Sequence, residues 1–303
     1  MQENSTGEKQ QDLQTIFTSY RQAGKIAKKV VDQLKTTITK ESKLFDIAEE
    51  GEKMIRDLGG EIAFPINLGL NEVAAHYTPV TNDKIVVGKN LLKVDIGVHV
   101  DGYIADTAFS LDFSGKHAKL IEASQKALEE ATKMATPGTC VKDIGAKIQE
   151  TIKGFGYKPI SNLSGHTLGR YKLHAGVNIP NIPAGNFVLE ENMVIAIEPF
   201  ATDGAGQIRD APDAVIFSYI EDKPVRMREA KRILKVAKDN YHGMPFASRW
   251  LKMPPLSQQM ALNQLTQAKA LYSYPILLEK EKGIVSQAEH TVIVKDKPEV
   301  TIV

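Results

Sequence analysis

Four carboxylates stand in stretches of sequence that are otherwise apolar. Asp95 and Asp106 lie in "KVDIGVHVDGYIADTA" (residues 93–108), Glu198 in "MVIAIEPFA" and Glu289 in "IVSQAEHTVIV". An ionised carboxylate buried without a partner costs several kcal/mol. Taken singly, each of these acids reads as a residue on a solvated strand face or at a sheet edge. If all four converge, they bring a charge of about −4, which two divalent cations would balance. His166, in "SNLSGHTLGRYKLHAG", would add one neutral nitrogen. A donor set rich in oxygen, with one imidazole and no sulfur, suits a pair of Mn, Fe, Co or Zn ions better than a structural zinc. Strands would hold such ligands rigidly.

The local geometry decides whether convergence is possible. Asp101-Gly102 is a two-residue hairpin signal between alternating apolar runs. If it forms the turn, Val100 pairs with Tyr103, and Gly97 faces Asp106. Asp95 shares a face with Gly97 and becomes the diagonal neighbour of Asp106, roughly 7–8 Å away at the backbone. Unless a bulge changes the parity, both acids point into one space, which Gly97 leaves open. Glu289 and His290 are adjacent, so on a strand only one of them can enter a given site. Along a straight strand His166 and His174 would be separated by roughly 26 Å. They can share a site only if the chain turns near Gly169-Arg170. His76, in "NEVAAHYTP", is flanked by Ala74, Ala75 and Tyr77, which suits a half-buried position.

These residues need elements to carry them. After about ten flexible residues, Leu13, Ile16, Tyr20, Ala23, Ala27, Val30 and Leu34 follow helical spacing. A second helix is expected over 43–58, stopped by Gly59-Gly60. Strands follow in "EIAFPINLGL", "VAAHYTP", "NLLKVDIGVHV" and "YIADTAFSLDF". The order then restarts, with helices over about 116–134 and 140–153. Strands return in "SNLSGHTLG", "NMVIAIEPFA", "APDAVIFSYI" and "HTVIV". Two helices and then hairpins, twice over, predict an α+β architecture of two similarly built halves. Residues 222–275 differ in character: "VRMREAKRILKVAKDN" and "SQQMALNQLTQAKALY" read as helices, with prolines and the sole tryptophan, Trp250, between them. This segment reads as a helical subdomain inserted into a main body formed by 1–221 and 276–303.

Bulk properties exclude several classes. The 303 residues carry a formal net charge of +1, which gives no global attraction to nucleic acid or membrane. Cys140 is the only cysteine, which excludes an intrachain disulfide and a thiolate-built metal site. The N-terminus has no apolar signal region and no long apolar run occurs, so a cytoplasmic protein is expected.

In order, the candidate ligands are Asp, Asp, His, Glu and Glu. With their surroundings, "DIGVHVDGYIADTA", "SGHTLGRYKLHAG", "AIEPFA" and "AEHTVIV", they resemble the methionine aminopeptidases. The match runs from about residue 12 to the end. The resemblance implies the pita-bread fold, two pseudo-symmetric halves around a dinuclear metal centre. It implies that Asp106 and Glu289 bridge two divalent ions, that Asp95 completes one, and that His166 and Glu198 complete the other. Glu198 and Glu289 stand 91 positions apart, and the helical insert that separates them resembles the type II branch. The N-terminus, which is neither polybasic nor acidic, is most like an archaeal type II enzyme.

The activity implied is hydrolysis after an N-terminal methionine, with a small second residue preferred. On that reading Glu198 takes a proton from the attacking water and passes it to the leaving nitrogen. His76 and His174 match the family's two histidines beside the metals, one serving the amide nitrogen and the other the carbonyl oxygen; the sequence does not fix which. Phe64, Pro65 and Asn67 match the segment that lines the methionine slot. N-termini of nascent polypeptides are the implied partners, and nothing requires more than a monomer.

Two rivals bear on this reading. Aminopeptidase P and prolidase share the five-ligand pattern but act on Xaa-Pro bonds, and they usually carry a separate N-terminal domain. Some type II relatives have lost ligands and serve as RNA- or protein-binding proteins, whereas all five ligands and both histidines are present here. The insert also suggests a partner. From Lys223 to Lys238 there are seven Lys or Arg and one acid, Glu229. This is either a solvated helix face or a contact with ribosomal RNA.

Overall fold

The computed structural model describes the backbone of residues 3–302 and the side chains of residues 12–302. The first half comprises α1 (Glu3–Thr37), α2 (Leu44–Asp57), β1 (Glu61–Leu70), β2 (Val73–Ala75), β3 (Leu91–Val100) and β4 (Tyr103–Asp112). Helix α1 already runs from Glu3, so the flexible lead expected before Leu13 is not found from that residue onward. That segment has no apolar stripe, yet its Glu, Lys and Gln residues are good helix formers. Met1 and Gln2 lie outside the described residues.

The second half repeats the order. It holds α3 (Ala118–Lys133), α4 (Val141–Gly154), β5 (Lys158–Pro159), β6 (Ser164–Thr167), β7 (Asn178–Pro180), β8 (Val194–Ile197), β9 (Phe200–Thr202) and β10 (Ile208–Tyr219). Then come α5 (Arg228–Tyr241), β11 (Phe246–Ala247), a single 3-10 turn (Ser248–Leu251), α6 (Pro255–Gln267) and β12 (Leu271–Glu279). The chain closes with β13 (Val285–Gln287), β14 (Glu289–Ile293) and β15 (Glu299–Val300). Among the described residues no helix is long and apolar enough to cross a membrane.

The main sheet runs β1-β3-β4-β14-β8-β6-β7, with β15 on β14, so the two halves meet where β4 pairs with β14. Each strand sends alternate residues to opposite faces. On one face α1 and α2 cover Leu92, Val94 and Ile96 with Ala23, Val30, Leu34 and Ile47. On the same face of the second half, α3 and α4 cover Ile195, Ile197 and Val292 with Ala127, Ile144 and Ile148. The other alternate set carries Asp95, Asp106, Ala196 and Glu289. The helices therefore pack on one alternate set of residues, and the acids lie on the opposite face, which also carries the buried Ile104, Val194 and Ile293.

The hairpin forms in the register that its turn demands, with Val100 paired to Tyr103 and Gly97 to Asp106. Both turn residues have positive φ, 52° at Asp101 and 86° at Gly102, as a two-residue hairpin turn of this sequence type requires. The space over Gly97 is not open, however. A methyl group there would lie 2.2 Å from the ring of Phe64, its partner across β1–β3, so the ring occupies the space a side chain at this position would need.

Two elements differ from expectation. The helix read through to Tyr272 ends at Gln267, and Lys269 follows with φ 56°. Leu271–Glu279 instead forms β12, paired with β10 and β2. Pro275 had masked this strand, which tolerates it at a register shift between Ala214 and Ile216 of β10. The strand expected over "VAAHYTP" is only three residues long, because His76 takes φ 62° and turns the chain away. Helices α5 and α6 pack on each other through Ala230, Ile233, Leu234, Ala261, Leu262 and Leu265, a core separate from that of the main sheet.

Candidate metal centre and adjoining pocket

Asp95 on β3, Asp106 on β4, His166 on β6, Glu198 after β8 and Glu289 on β14 all line one cavity of about 210 Å³. The two hairpin acids arrive there by alternation. Glu289 enters because it pairs with Ala108 on β4, beside Asp106, while His290 points to the helix-covered face and lies near Lys35. Glu198 directly follows β8, and Pro199 separates it from β9. Donor atoms of Asp106, His166 and Glu289 all lie within 4.8 Å of one another. His166 Nε2 is 3.6 Å from Asp106 Oδ2 and 3.9 Å from Glu198 Oε1.

Those distances are too long for hydrogen bonds but suit donors that share a cation, each about 2.0–2.2 Å from it. Charge makes the same point. None of the four carboxylates forms an ion pair with Lys or Arg among the described residues. Asp95 Oδ1 and Asp106 Oδ1 are buried and have no hydrogen-bond partner. Burial pushes the Asp95 carboxyl up to about 7. Burial first, and then repulsion from neighbouring acids, drives Asp106, Glu198 and Glu289 well above the ordinary carboxylate range. Burial also holds the His166 imidazole down to about 3, so it is a neutral donor. The Gln287 amide, 3.4 Å from both Asp95 Oδ2 and Glu289 Oε2, is too weak a partner to balance this charge. Four uncompensated buried carboxylates beside a neutral imidazole fit divalent metal, and Asp106, His166 and Glu289 are close enough to hold one ion together.

The two histidines flank the acids. The chain does turn after His166: Gly169 bridges to Lys172, and Tyr171 has φ 54°. The rings of His166 and His174 therefore come within 4.4 Å between centroids. His76 lines the same cavity. Its Nδ1 lies 3.1 Å from the Pro275 carbonyl oxygen and its ring meets Tyr274 edge to face at 5.5 Å. Burial lowers its imidazole to about 4, so it is neutral at physiological pH. A neutral ring whose Nδ1 faces a carbonyl carries its proton there, which leaves Nε2 as an acceptor.

Phe64 and Asn67 line the cavity; Pro65 does not. Pro65 instead lies in an irregular stretch of β1, where its carbonyl accepts the Asn67 amide at 2.8 Å. Leu163, Leu173, Ile216, Tyr274 and Pro245, none of them singled out in the sequence, are among the other residues of the lining. Tyr274 was hidden with the rest of β12, and Pro245 comes from the insert. Alternation along "LYSYPILLE" was the one signal that could have found the tyrosine.

The model of metallopeptidase family M24 matches residues 18–296 of the chain. A methionine aminopeptidase of Thermococcus onnurineus is 52% identical over 278 residues, covering 90% of this chain and 94% of that protein. Among solved structures, a thermophilic Arx1 superimposes with a TM-score of 0.84 at 15% identity, covering 95% of this chain and 90% of that one. The methionine aminopeptidase of Thermotoga maritima gives 0.66 at 20% identity, covering 93% and 94%. These distant structural likenesses show the fold alone, which is the pita-bread fold.

Proposed function

Because the chain belongs to metallopeptidase family M24, and within it to the methionine aminopeptidases, we propose that its buried acids hold two divalent cations, of Mn, Fe, Co or Zn. The chain is a metal-dependent aminopeptidase, a hydrolase that removes an N-terminal methionine. In our reading Asp106 and Glu289 would serve both ions, Asp95 would complete one, and His166 with Glu198 would complete the other. The observation that carries this is the set of four buried carboxylates without a cationic side chain. Bound there, the ions would lower the pKa of a water molecule toward neutrality and polarise the scissile carbonyl.

The chain's own residues supply the rest. Glu198 takes the proton of the attacking water and delivers it to the leaving nitrogen. His76, with Nε2 as an acceptor, receives the N–H of the scissile amide and so orients it. His174, on the exposed rim, donates to the carbonyl oxygen as negative charge develops. The acidic end of the cavity suits a free α-amine, which accounts for cleavage at the first residue. Phe64 supplies the apolar wall of the methionine slot, and Asn67 closes it. Pro65 serves that wall indirectly, through its hold on Asn67.

The substrates in this proposal are N-termini of nascent polypeptides with a small second residue, met in the cytoplasm by a monomer. Residues 222–275 act as an inserted subdomain whose basic helix touches ribosomal RNA. Lys223, Lys235 and Lys238 are paired with Glu221, Asp239 and Asp222. Arg226, Arg228, Lys231 and Arg232 are exposed, so they are the residues left for phosphate. Charge reversal at Arg228 and Lys231 would reduce salt-sensitive pelleting with ribosomes and leave peptide turnover intact; unchanged pelleting removes this contact.

The activity is tested by stripping metal, restoring Mn or Co, and following release of the first residue from Met-Ala-Ser, Met-Lys-Ser and Ala-Pro-Ser. Metal-dependent cleavage of the first peptide alone supports the reading. Preference for Ala-Pro-Ser would move the chain to the proline-specific branch of the family.

A further inference from the structure

Strand β1 leaves its ladder with β3 between Phe64 and Asn67, so the backbone of Ile66 must find partners elsewhere. Its N–H donates to Glu52 Oε1 on α2 at 3.3 Å, and its carbonyl accepts the Thr78 hydroxyl at 2.8 Å. One guanidinium grips both partners. Arg249, in the 3-10 turn of the insert, bonds Glu52 through Nη2, donates from Nη1 to Thr78 Oγ1 at 2.6 Å, and donates from Nε to Glu49 at 3.0 Å. Trp250 Nε1 donates to the second Glu52 oxygen at 2.8 Å. The side chains of Arg249 and Glu52 are each only 2% exposed.

A buried ion pair is a weak source of stability compared with well-packed apolar residues, but it fixes geometry. Only a rigid fork of donors spans four acceptors, Glu49 and Glu52 on α2 and Thr78 and the Pro79 carbonyl in the segment after β2, and lysine lacks that fork. We propose that Arg249 is a positioning residue for the side-chain specificity of this enzyme. It locks the irregular stretch of β1 that presents Phe64 and Asn67, and the segment after His76 that ends in Thr78. The insert thereby shapes the slot from outside, without touching the substrate through this arginine. The proposal rests on the reading that Phe64 walls the methionine slot.

The test compares Arg249→Met, Thr78→Val and Phe64→Leu in the Mn-loaded enzyme, at a temperature where circular dichroism shows each folded. For each, kcat and KM are measured on Met-Ala-Ser and Leu-Ala-Ser. The expected result is a rise in KM for Met-Ala-Ser and an about tenfold loss of preference for methionine over leucine, with kcat changed by less than about threefold. A merely structural Arg249 would lower the melting temperature and leave the preference intact, and that result overturns the proposal. Should Arg249→Met fail to fold, Thr78→Val, which loses a single hydroxyl, decides by the same ratio. A preference changed by Phe64→Leu but not by either clamp variant defeats the clamp alone. If Phe64→Leu leaves it unchanged, the slot reading fails and the clamp's role falls with it.

Discussion

His76 Nδ1 lies 3.1 Å from the carbonyl oxygen of Pro275, on a strand almost two hundred residues away in the chain. That contact places the imidazole proton on Nδ1 and leaves Nε2 to accept from the substrate. Replacing His76 with alanine is expected to lower kcat by about 10²-fold with a smaller change in KM, because the interaction serves the reacting amide. Because burial lowers the ring to about 4, the ratio of wild-type to variant rates should be flat from pH 6 to 8. A pH–rate comparison showing an inflection of that ratio near 6.5 would contradict the neutral state assigned to the ring.

Gly97 and Phe64 make a second specific pair. A Cβ at position 97 would lie 2.2 Å from the Phe64 ring, which must then swing into the cavity. Gly97→Ala should therefore raise KM for Met-Ala-Ser by about tenfold or more, and lower stability by about 1–3 kcal/mol through overpacking. Chemical denaturation and steady-state kinetics check the two effects separately.

Removing one ligand acid should have opposite effects with and without metal. Asp106→Asn relieves repulsion in the metal-free protein, where burial and Asp95 both oppose its charge. The variant's melting temperature without metal is expected to exceed that of the wild type, while its gain on adding Mn is lost along with activity. Calorimetry with and without chelator measures both; a lower melting temperature in the metal-free variant would show that the acids are not in conflict.

Arg21 on α1 bonds Glu299 on β15 at 2.5 and 3.0 Å, with Lys295 beside it at 2.6 Å. Arg21, and then Lys295, hold the Glu299 carboxyl down to about 2. A depressed carboxylate contributes stability above its unfolded-state value of about 4.5, and that contribution is lost as pH falls toward 2. Arg21→Ala should cost about 0.5–1 kcal/mol at pH 7, since the pair is partly solvated, and the deficit should shrink at pH 3. Urea titrations at the two values decide this.

Much of the candidate site was legible because its logic is local. Asp101-Gly102 sets the hairpin register, alternation sets the face, and an acid inside an apolar strand marks itself. The non-local parts were not legible. Pro275 disguised β12, so neither Tyr274 nor the acceptor for His76 could be read from the sequence. Gly97 was read as open space, because nothing in the hairpin tells that Phe64 of a third strand fills it. Arg249 carries no signal in the sequence, because only the path of β1 explains what it grips.

The central claim is that the four acids exist to hold two divalent ions. The most direct measurement is equilibrium dialysis of chelator-stripped protein against Mn, counting ions bound per chain while Met-Ala-Ser cleavage is followed. The account predicts saturation at two ions in the wild type, loss of tight binding in Glu289→Gln, and cleavage that appears only as metal binds. Full cleavage by protein that retains no metal, or no measurable uptake by the folded wild type, would contradict it.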